Sequence, residues 1–592
     1  MALCLALVGL AGPLAAQIPD TTRTDSLAMV QDTMPDPTAL LLTAAEDSKV
    51  HLRTFPRGGQ QQLLPAMSRV IITRDSIDFA NAETVGDLLA EVPGTYLWRG
   101  GWIGRAELPN YQGRGATSVE YTLDGVPYVP MGQDSLAVDP SLFPVGLIDR
   151  IEVETLPGLL RVHLYLRNHD LLSPRTRIAI ARGDFSQARY EGLFEKRFPS
   201  GFGFALGAEY RVTPRSNRQF DNSNGWAQMD WVPNERFGVQ FRYTSTGTDR
   251  KPELSDATPP DTLARDLKGD RSDFTGRIFL RGRPDGLGSR VDILANRAAW
   301  RGDSLEQNRW QAGVVYSRRA PTWTAGASAL YGSVWTKFDA RVNAGWTPTP
   351  RVTAAVEGAW QSYEDSRSGS WVLARAGFRL PLNVDLAGSW RAGKVLARPS
   401  MPGDTVQSLS DLEASLGWQV PRLGARLAYS RLAAFQAVGY RQFAGVDSIA
   451  PSGPTDWVTA SARVAPRQWL TISGWYSSPL GTGPEGIPPT HSMVTAAIRS
   501  KFLRTFPSGI FDLKLALSVE SWGSGVLGRD AAGDPVQLAG ATFARALLQM
   551  QFSGFIIYYD RFNLTNNRQA YVPGFPIPYG ASTFGVRWSF LN

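Results

Sequence analysis

From residue 174 onward the chain alternates apolar and polar side chains in runs of about ten residues, the period of a strand with two unlike faces. Phe584, Val586, Trp588 and Phe590 fall on one face, with Thr583, Gly585, Arg587 and Ser589 on the other. Leu513, Leu515, Leu517 and Val519 alternate with Asp512, Lys514, Ser518 and Glu520 in the same way, as do Phe274, Ile278 and Leu280 with Thr275, Arg277 and Arg281. In a soluble sandwich the apolar face points into a core. In a transmembrane barrel it points out into lipid, and the polar face lines a lumen.

The connections select the barrel. One set is short and built on Pro or Gly: Phe198-Pro199-Ser200-Gly201, Pro233–Arg236, Arg283–Gly286, Ala320-Pro321-Thr322, Pro348–Pro350, Pro381–Asn383, Pro421–Gly424, Ala465–Arg467, Phe506–Gly509 and Ser553-Gly554. These residues supply the backbone angles of tight hairpins. Between them lie longer polar loops, such as 246–271, 397–410, 437–455, 478–491 and 522–537. Short turns on one side and long loops on the other mark an outer-membrane barrel, here of about 22 antiparallel strands. An even count puts both chain ends of the barrel on the short-turn side.

Composition agrees. Hydrophobic residues make up 43% of the chain and the mean hydropathy is −0.19, as expected where half of each strand faces away from lipid. The chain has 18 Trp and 18 Tyr. Trp226, Trp231, Trp300, Trp323, Trp335, Trp346, Trp360, Trp371, Trp469 and Trp475 sit near strand ends, where an aromatic girdle meets the headgroups. Residues 1–16 are apolar and end Leu14-Ala15-Ala16, a signal-peptide pattern that contains the single cysteine, Cys4. The mature chain then has no thiol. Residues 17–65, rich in Asp, Thr, Pro and Gln, read as a flexible arm. The net charge of +7 is spread over inward strand positions such as Arg277, Arg281 and Arg587, which speaks for an anion-attracting lumen and against nucleic-acid binding.

Residues 66–172 lack the long alternating runs of the barrel region. A strand over Arg69–Thr73 is expected, then a helix within Asn81–Glu91 carrying Val85, Leu88, Leu89 and Val92 at helical spacing, stopped by Pro93-Gly94. Short strands come next at Val119–Leu123, Ile148–Glu154 and Arg161–Leu166. The fold class is thus an all-β transmembrane barrel (173–592) with a small α/β plug (66–172) in its lumen.

In this segment the chain resembles the plug domain of TonB-dependent outer-membrane receptors. The resemblance rests on Thr84-Val85-Gly86-Asp87-Leu88-Leu89-Ala90-Glu91-Val92-Pro93-Gly94, Gly113-Arg114-Gly115, Leu123-Asp124-Gly125-Val126-Pro127, Phe143–Val153 and Pro157-Gly158, in that order. Tyr571–Pro578 and Phe584–Phe590 are similar to that family's last hairpin. The resemblance implies a receptor and transporter in the outer membrane of a Gram-negative-type bacterium, acting as a monomer. A TonB-type energy-coupling protein would grip the N-terminal arm, and the barrel-assembly machinery would read the C-terminal strand. The ligand would be small and extracellular, of siderophore, cobalamin or oligomer type. Two departures leave room for a plugged binding or structural barrel without coupled transport: Pro157-Gly158 runs almost directly into Leu159–Leu164, without the usual Gly-rich stretch, and no coupling motif stands out.

Catalytic and metal-binding roles are not expected, nor any cofactor: His51, His163, His169 and His491 lack a cluster of ligands at metal spacing. By the same resemblance, the loop between Gly94 and Gly113 rises toward the outer mouth. Trp98, Arg99, Trp102, Arg105 and Tyr111 there offer rings and guanidinium groups to an anionic or aromatic ligand, with Tyr128, Met131 and Gln133 as a second contact. Packing of the plug against the wall is the alternative role for these aromatics. Gly115 and Gly125 suit turns of positive φ, and Arg114, Arg150 and Glu152 match positions that anchor family plugs to the wall.

Overall fold

The computed structural model describes residues 50–58, 62–100, 106–132, 136–214, 220–250, 267–302, 305–400, 404–439, 446–577 and 580–591. The plug contains strands β1 (Arg69–Thr73), β2 (Thr95–Arg99), β3 (Glu107–Tyr111), β4 (Val119–Leu123), β5 (Val126–Tyr128), β6 (Ile148–Leu156) and β7 (Leu159–Leu166). Its main sheet has the order β1-β6-β7-β4-β5, while β2 and β3 form a separate hairpin. Only β4 and β7 run parallel.

Two short helices replace the single one expected. Thr73 caps α1 (Arg74–Ala80), which Asn81 ends in the left-handed conformation. Thr84 and Asp87 then form a reciprocal capping box at the start of α2 (Val85–Leu89), satisfying two otherwise orphaned backbone donors. The apolar face of α2 packs Val85, Leu88 and Leu89 onto Ile151, Val153, Val162 and Leu164 of β6 and β7. Leu123-Asp124-Gly125-Val126 closes the β4–β5 hairpin with positive φ at both Asp124 and Gly125, the backbone of a type I′ turn.

Beyond residue 174 the chain forms a closed barrel of 22 antiparallel strands. The first, β8 (Arg175–Gly183), pairs with the last, Ser582–Leu591, with Arg175 opposite Leu591. Both barrel ends therefore lie on one rim, the side of the Pro/Gly turns. Along the strands large apolar residues point outward and stay exposed, among them Ile178, Leu206, Phe274, Val342, Leu427 and Trp588. Their inward neighbours are polar and buried, such as Arg177, Thr275, Arg277 and Arg587. A continuous exposed apolar belt of this kind is a surface for lipid. No helix among the described residues is long and apolar enough to cross a membrane; the strands make the crossing.

Three details depart from the sequence reading. Outer connections 184–187, 333–335 and 364–367 are as tight as inner ones, whereas the inner turn 501–510 is long. Among the described residues, the long outer loops gather on one side of the barrel. Second, the tryptophans divide: Trp231, Trp346, Trp360 and Trp469 face outward and are exposed, but Trp226, Trp300, Trp371 and Trp475 are buried. Strand-end position alone does not say which face a ring occupies. Third, the arm is not free up to residue 65. Phe55 is buried between Val232 and Phe279, edge-on to the Phe279 ring at 5.1 Å and under the Arg277 guanidinium. Residues 1–49 lie outside the described residues.

Val342 lies midway along Thr336–Thr349, 61% exposed on the outer face. Val342→Arg is expected to destabilise the membrane-inserted barrel by about 2–4 kcal/mol, read by denaturant unfolding from liposomes. A polar change at the adjacent lumen-facing Asn343 should cost measurably less.

Candidate functional site

The plug is held by charges that cross to the wall. Arg114 pairs with Asp411 at 2.6 Å, Arg161 with Glu357 at 2.8 Å and Glu154 with Arg375 at 3.0 Å. Asp124 meets Arg242 at 2.5 Å, Asp139 meets Arg250 at 3.2 Å and Asp78 meets Arg177 at 2.9 Å. Asn81 binds Asp560 and Arg587 of the closing strands. Inside the plug, burial pushes the Asp78 and Glu154 carboxyls up, but their neighbours outweigh it and hold both well below the usual carboxylate range: the Arg74 and Arg177 charges at Asp78, and a hydrogen bond from His163 with the Arg375 charge at Glu154. These are charges that stay ionised in place. Breaking a buried pair by removing one partner costs about 3–5 kcal/mol, because the other charge is left uncompensated.

Of the expected anchors, Arg114 reaches the wall. Arg150 and Glu152 do not: they pair with each other at 2.6 Å, and Arg69 closes on Glu152 from β1 at 2.9 Å. Their neighbours are on the same sheet, so their attraction is spent within the plug. Asp78, Asp124, Asp139, Glu154 and Arg161 were missed. Asp124 had a signal, since it stands in the Asp-Gly turn, where its carboxylate also accepts from Leu166 N at 3.2 Å.

One half of the outer mouth is closed. Described parts of the loops after Leu432, Leu480, Trp522 and Arg561 fold inward over the β2–β3 hairpin. Tyr96, Trp98 and Leu108 pack there with Ile449, Trp457, Ile487, Trp522, Phe543, Tyr571 and Val572. This apolar cover is why the long loops share one side. Trp98 is fully buried and donates from Nε1 to Gly486 O at 2.8 Å. Tyr96 donates to Tyr571 O at 2.8 Å, and Tyr571 donates to Glu520, which also meets His491 Nε2 at 2.9 Å. His491 is thus a buried wall residue. Gly115, at φ 80°, lies against Val438, where a Cβ would come within 2.8 Å of backbone atoms.

Among the proposed ligand contacts, Trp98 and Tyr111 are therefore interior packing residues, and Arg99 is committed to Asp87 and to Glu107 at 2.8 Å. Trp102, Arg105 and Gln133 lie outside the described residues. Tyr128 lies on the other half, which the described loop residues leave uncovered, with the Arg271 guanidinium 3.6 Å from its ring centroid, and Met131 is half-buried. That half holds a cavity of about 690 Å³ between the plug sheet and the wall, lined by Tyr121, Tyr128, Arg309, Trp335, Arg341 and Tyr363 among others.

One carboxyl in the plug is under-compensated. Arg99 serves both Asp87 and Glu107, with Asp139 also near. Burial raises both acids. At Asp87 the Arg99 and Arg545 charges outweigh it and the pKa falls. At Glu107 burial wins over Arg99, aided by Asp87, and the pKa is pushed up to about 7. Thr84 donates to Glu107 at 2.6 Å.

A barrel of 22 strands closed on an N-terminal α/β module defines a plugged outer-membrane-type barrel. Residues 62–159 match the family described as TonB-dependent Receptor Plug Domain, so the module is a TonB-dependent receptor plug and the chain has the plug-and-barrel architecture of TonB-dependent receptors. Among solved structures it is similar to the siderophore receptor PirA from Acinetobacter baumannii, at 10% identity and TM-score 0.66 over 89% of this chain and 100% of that one. It is also similar to a mutant of the ferric enterobactin receptor PfeA from Pseudomonas aeruginosa in complex with enterobactin (11%, TM-score 0.67, 90% and 100%). A third is the FrpB iron transporter from Neisseria meningitidis (10%, TM-score 0.66, 88% and 99%). At such identities the likeness is one of fold. No curated protein sequence matches the chain.

Two outcomes are expected. Arg114→Ala should destabilise the seated plug by about 3–5 kcal/mol, seen as faster protease cleavage within residues 66–172 of the intact barrel. Glu107 has its folded pKa raised from 4.5 to about 7, so the folded plug binds the extra proton between those values. Stability should then fall as pH rises from about 4.5 through 7. Denaturant unfolding of the plug at pH 5 and pH 8 should show this slope in the native protein and its loss in Glu107→Gln.

Proposed function

We propose that the protein is a TonB-dependent receptor and transporter of the outer membrane, importing a scarce nutrient of siderophore, cobalamin or oligomer type. Proton-motive force reaches it through a TonB-type protein that grips the arm upstream of residue 50. The observation that carries this reading is the plug seated in a closed barrel by buried ion pairs, with its N-terminal arm on the rim where the barrel chain begins and ends. A ligand from outside meets the uncovered half of the mouth, where Tyr128 of the plug faces Arg271 of the wall and Met131 follows it in the chain. The resting plug blocks the pore, and work delivered at the inner rim opens it. The structural neighbours, which include siderophore receptors, an iron transporter and a copper transporter, support a scarce-nutrient cargo. The exposed apolar belt is the surface on which outer-membrane lipid would lie.

A second reading, a plugged barrel that binds without coupled transport, draws on the plug itself. Pro157-Gly158 joins β6 to β7 as a tight hairpin, with Leu156 opposite Leu159, so the longer segment typical of this place is missing.

Deletion of residues 18–49 separates the two. A deletion strain grown on a panel of limiting nutrients identifies the cargo by rescue. The arm-truncated protein should then bind that nutrient with unchanged affinity and fail to take it up. Uptake that survives truncation would eliminate the coupled mechanism. In the same assay Tyr128→Ala with Met131→Ala should weaken binding by about 2 kcal/mol or more.

A further inference from the structure

The cavity on the open half of the mouth is not confined to the outer end. On the wall hairpin Glu306–Arg319 and Trp323–Gly332 its lining includes Arg309, Gly332 and nearby Trp335 at the outer end, Val315 and Ser328 midway, and Arg319 and Thr324 beside the inner turn. On the plug side the lining runs from Tyr128 and Tyr121 past Glu120, Arg161 and His163 to Arg150 and Arg69. The space thus extends along most of the barrel height, between the face of the plug sheet and one wall sector.

At its inner end lie Gln62 and Leu63. Gln62 Nε2 donates to Ala344 O at 3.0 Å and to Val356 O at 3.3 Å. Leu63 N donates to Thr324 Oγ1 at 3.2 Å. Pro65 then rests so close to Gly377 that a Cβ there would lie 2.7 Å from the ring. This stretch is a strap across the inner rim, held by neutral hydrogen bonds, whereas the body of the plug is held by buried charges that are far more costly to separate.

We propose that the solute route past the plug is laid down along wall residues 306–363, that the strap Gln62–Pro65 closes its inner end, and that the route favours small anions. The anion preference rests on Arg309. The other acidic and basic lining groups are held by partners, as in Arg161 with Glu120 and Glu357, Arg341 with Asp339, and Arg69 with Glu152 and Glu154. Arg309 is 5% exposed, makes no ion pair or hydrogen bond among the described residues, and has the Trp335 ring 5.4 Å from its guanidinium. The Arg271 charge is near it, and the one carboxylate that acts on it from a distance, Glu364, is paired with Lys337 at 3.2 Å. A buried cation with no carboxylate of its own draws an anion into the space it faces. The proposal takes from the transporter reading only the agent that pulls the arm; the route stands without it.

Purified full-length protein in planar bilayers with KCl tests the route with no nutrient and no coupling protein. The native protein should conduct rarely. Gln62→Ala with Thr324→Val removes the strap's hooks and should raise the frequency of open events at least tenfold, with a reversal potential in a salt gradient that reports chloride over potassium. Adding Ser328→Trp, which fills the cavity, should suppress the events; adding Ser461→Trp, on a wall strand well round the barrel and outside the cavity lining, should not. Arg309→Ala in the unhooked protein should remove the chloride preference. Heat-modifiable mobility on gels verifies that each variant holds a folded barrel. As a second line, Leu63→Cys with Thr324→Cys in the thiol-free mature chain should be silent when oxidised and conduct on reduction. The proposal is overturned if both the unhooked and the reduced proteins stay closed, if Ser461→Trp rather than Ser328→Trp blocks, or if the oxidised pair conducts. An unhooked protein that conducts, together with uptake indifferent to loss of residues 18–49, would keep the route and remove the coupled transporter.

Discussion

A charge enclosed between plug and wall must find its opposite there, and most of this molecule follows from that requirement. The inner face of a wide barrel is polar because the outer face is given to lipid. Once a plug excludes water from much of the lumen, wall residues such as Arg242, Arg375 and Asp411 lose their hydration. They regain it as partners: Asp124, Glu154 and Arg114 respectively. The plug is thereby fixed in rotation and depth, since a shift of a few ångströms would strand several ions at once. The same requirement explains a basic chain whose arginines are scattered along strands: many serve a local carboxylate and are spread out with it, Arg309 being an exception.

The anchoring is uneven around the circumference. Ion pairs and charged hydrogen bonds reach the wall near residues 177–250, 357–411 and 560–587. Among the described residues, no ion pair joins the plug to the strands from Leu423 to Ser500. There the plug is held from above, by the apolar cover in which Trp98, Trp522 and Tyr571 meet. Hydrophobic burial is non-directional and tolerates sliding better than a charge pair does. The two halves of the lumen are therefore joined by different physics, one by registered ions and one by a greasy lid.

The barrel was legible because alternation is strict where one face meets lipid and the other water. Its strand count followed from the Pro/Gly turns, and the plug from ordered motifs. What the sequence hid was the partner of each side chain. Trp226 and Trp231 are five residues apart on one strand and sit on opposite faces, a matter of parity that proximity to a strand end does not reveal. Arg150 and Glu152 share a face of β6, and Arg69 of β1, opposite Glu154, reaches Glu152 diagonally, so only the sheet register tells that they satisfy one another. Trp98 and Tyr111 read as ligand-facing aromatics because nothing local announces the loops that cover them. Phe55 lies in a stretch whose composition signals disorder, yet its ring is buried between Val232 and Phe279 and its backbone accepts from Asn168 at 2.7 Å.

The order of these attachments along the chain decides which of them a force on the arm would load. Tension applied upstream of residue 50 meets the bonds of His51 and Leu52 to Asp170 and of Arg53 to Pro233 first, then Phe55 and the Arg57–Asp149 pair, then Gln62 and Leu63, and only afterwards β1, whose five residues all pair with β6. Each neutral hydrogen bond of the strap contributes about 0.5–1.5 kcal/mol net, and the bonds are peeled in sequence. A single plug–wall ion pair opposes separation by about 3–5 kcal/mol, and several must yield together for the body to move. Such a construction gives at the strap while the ions still hold, so the inner rim can open without the plug leaving its seat.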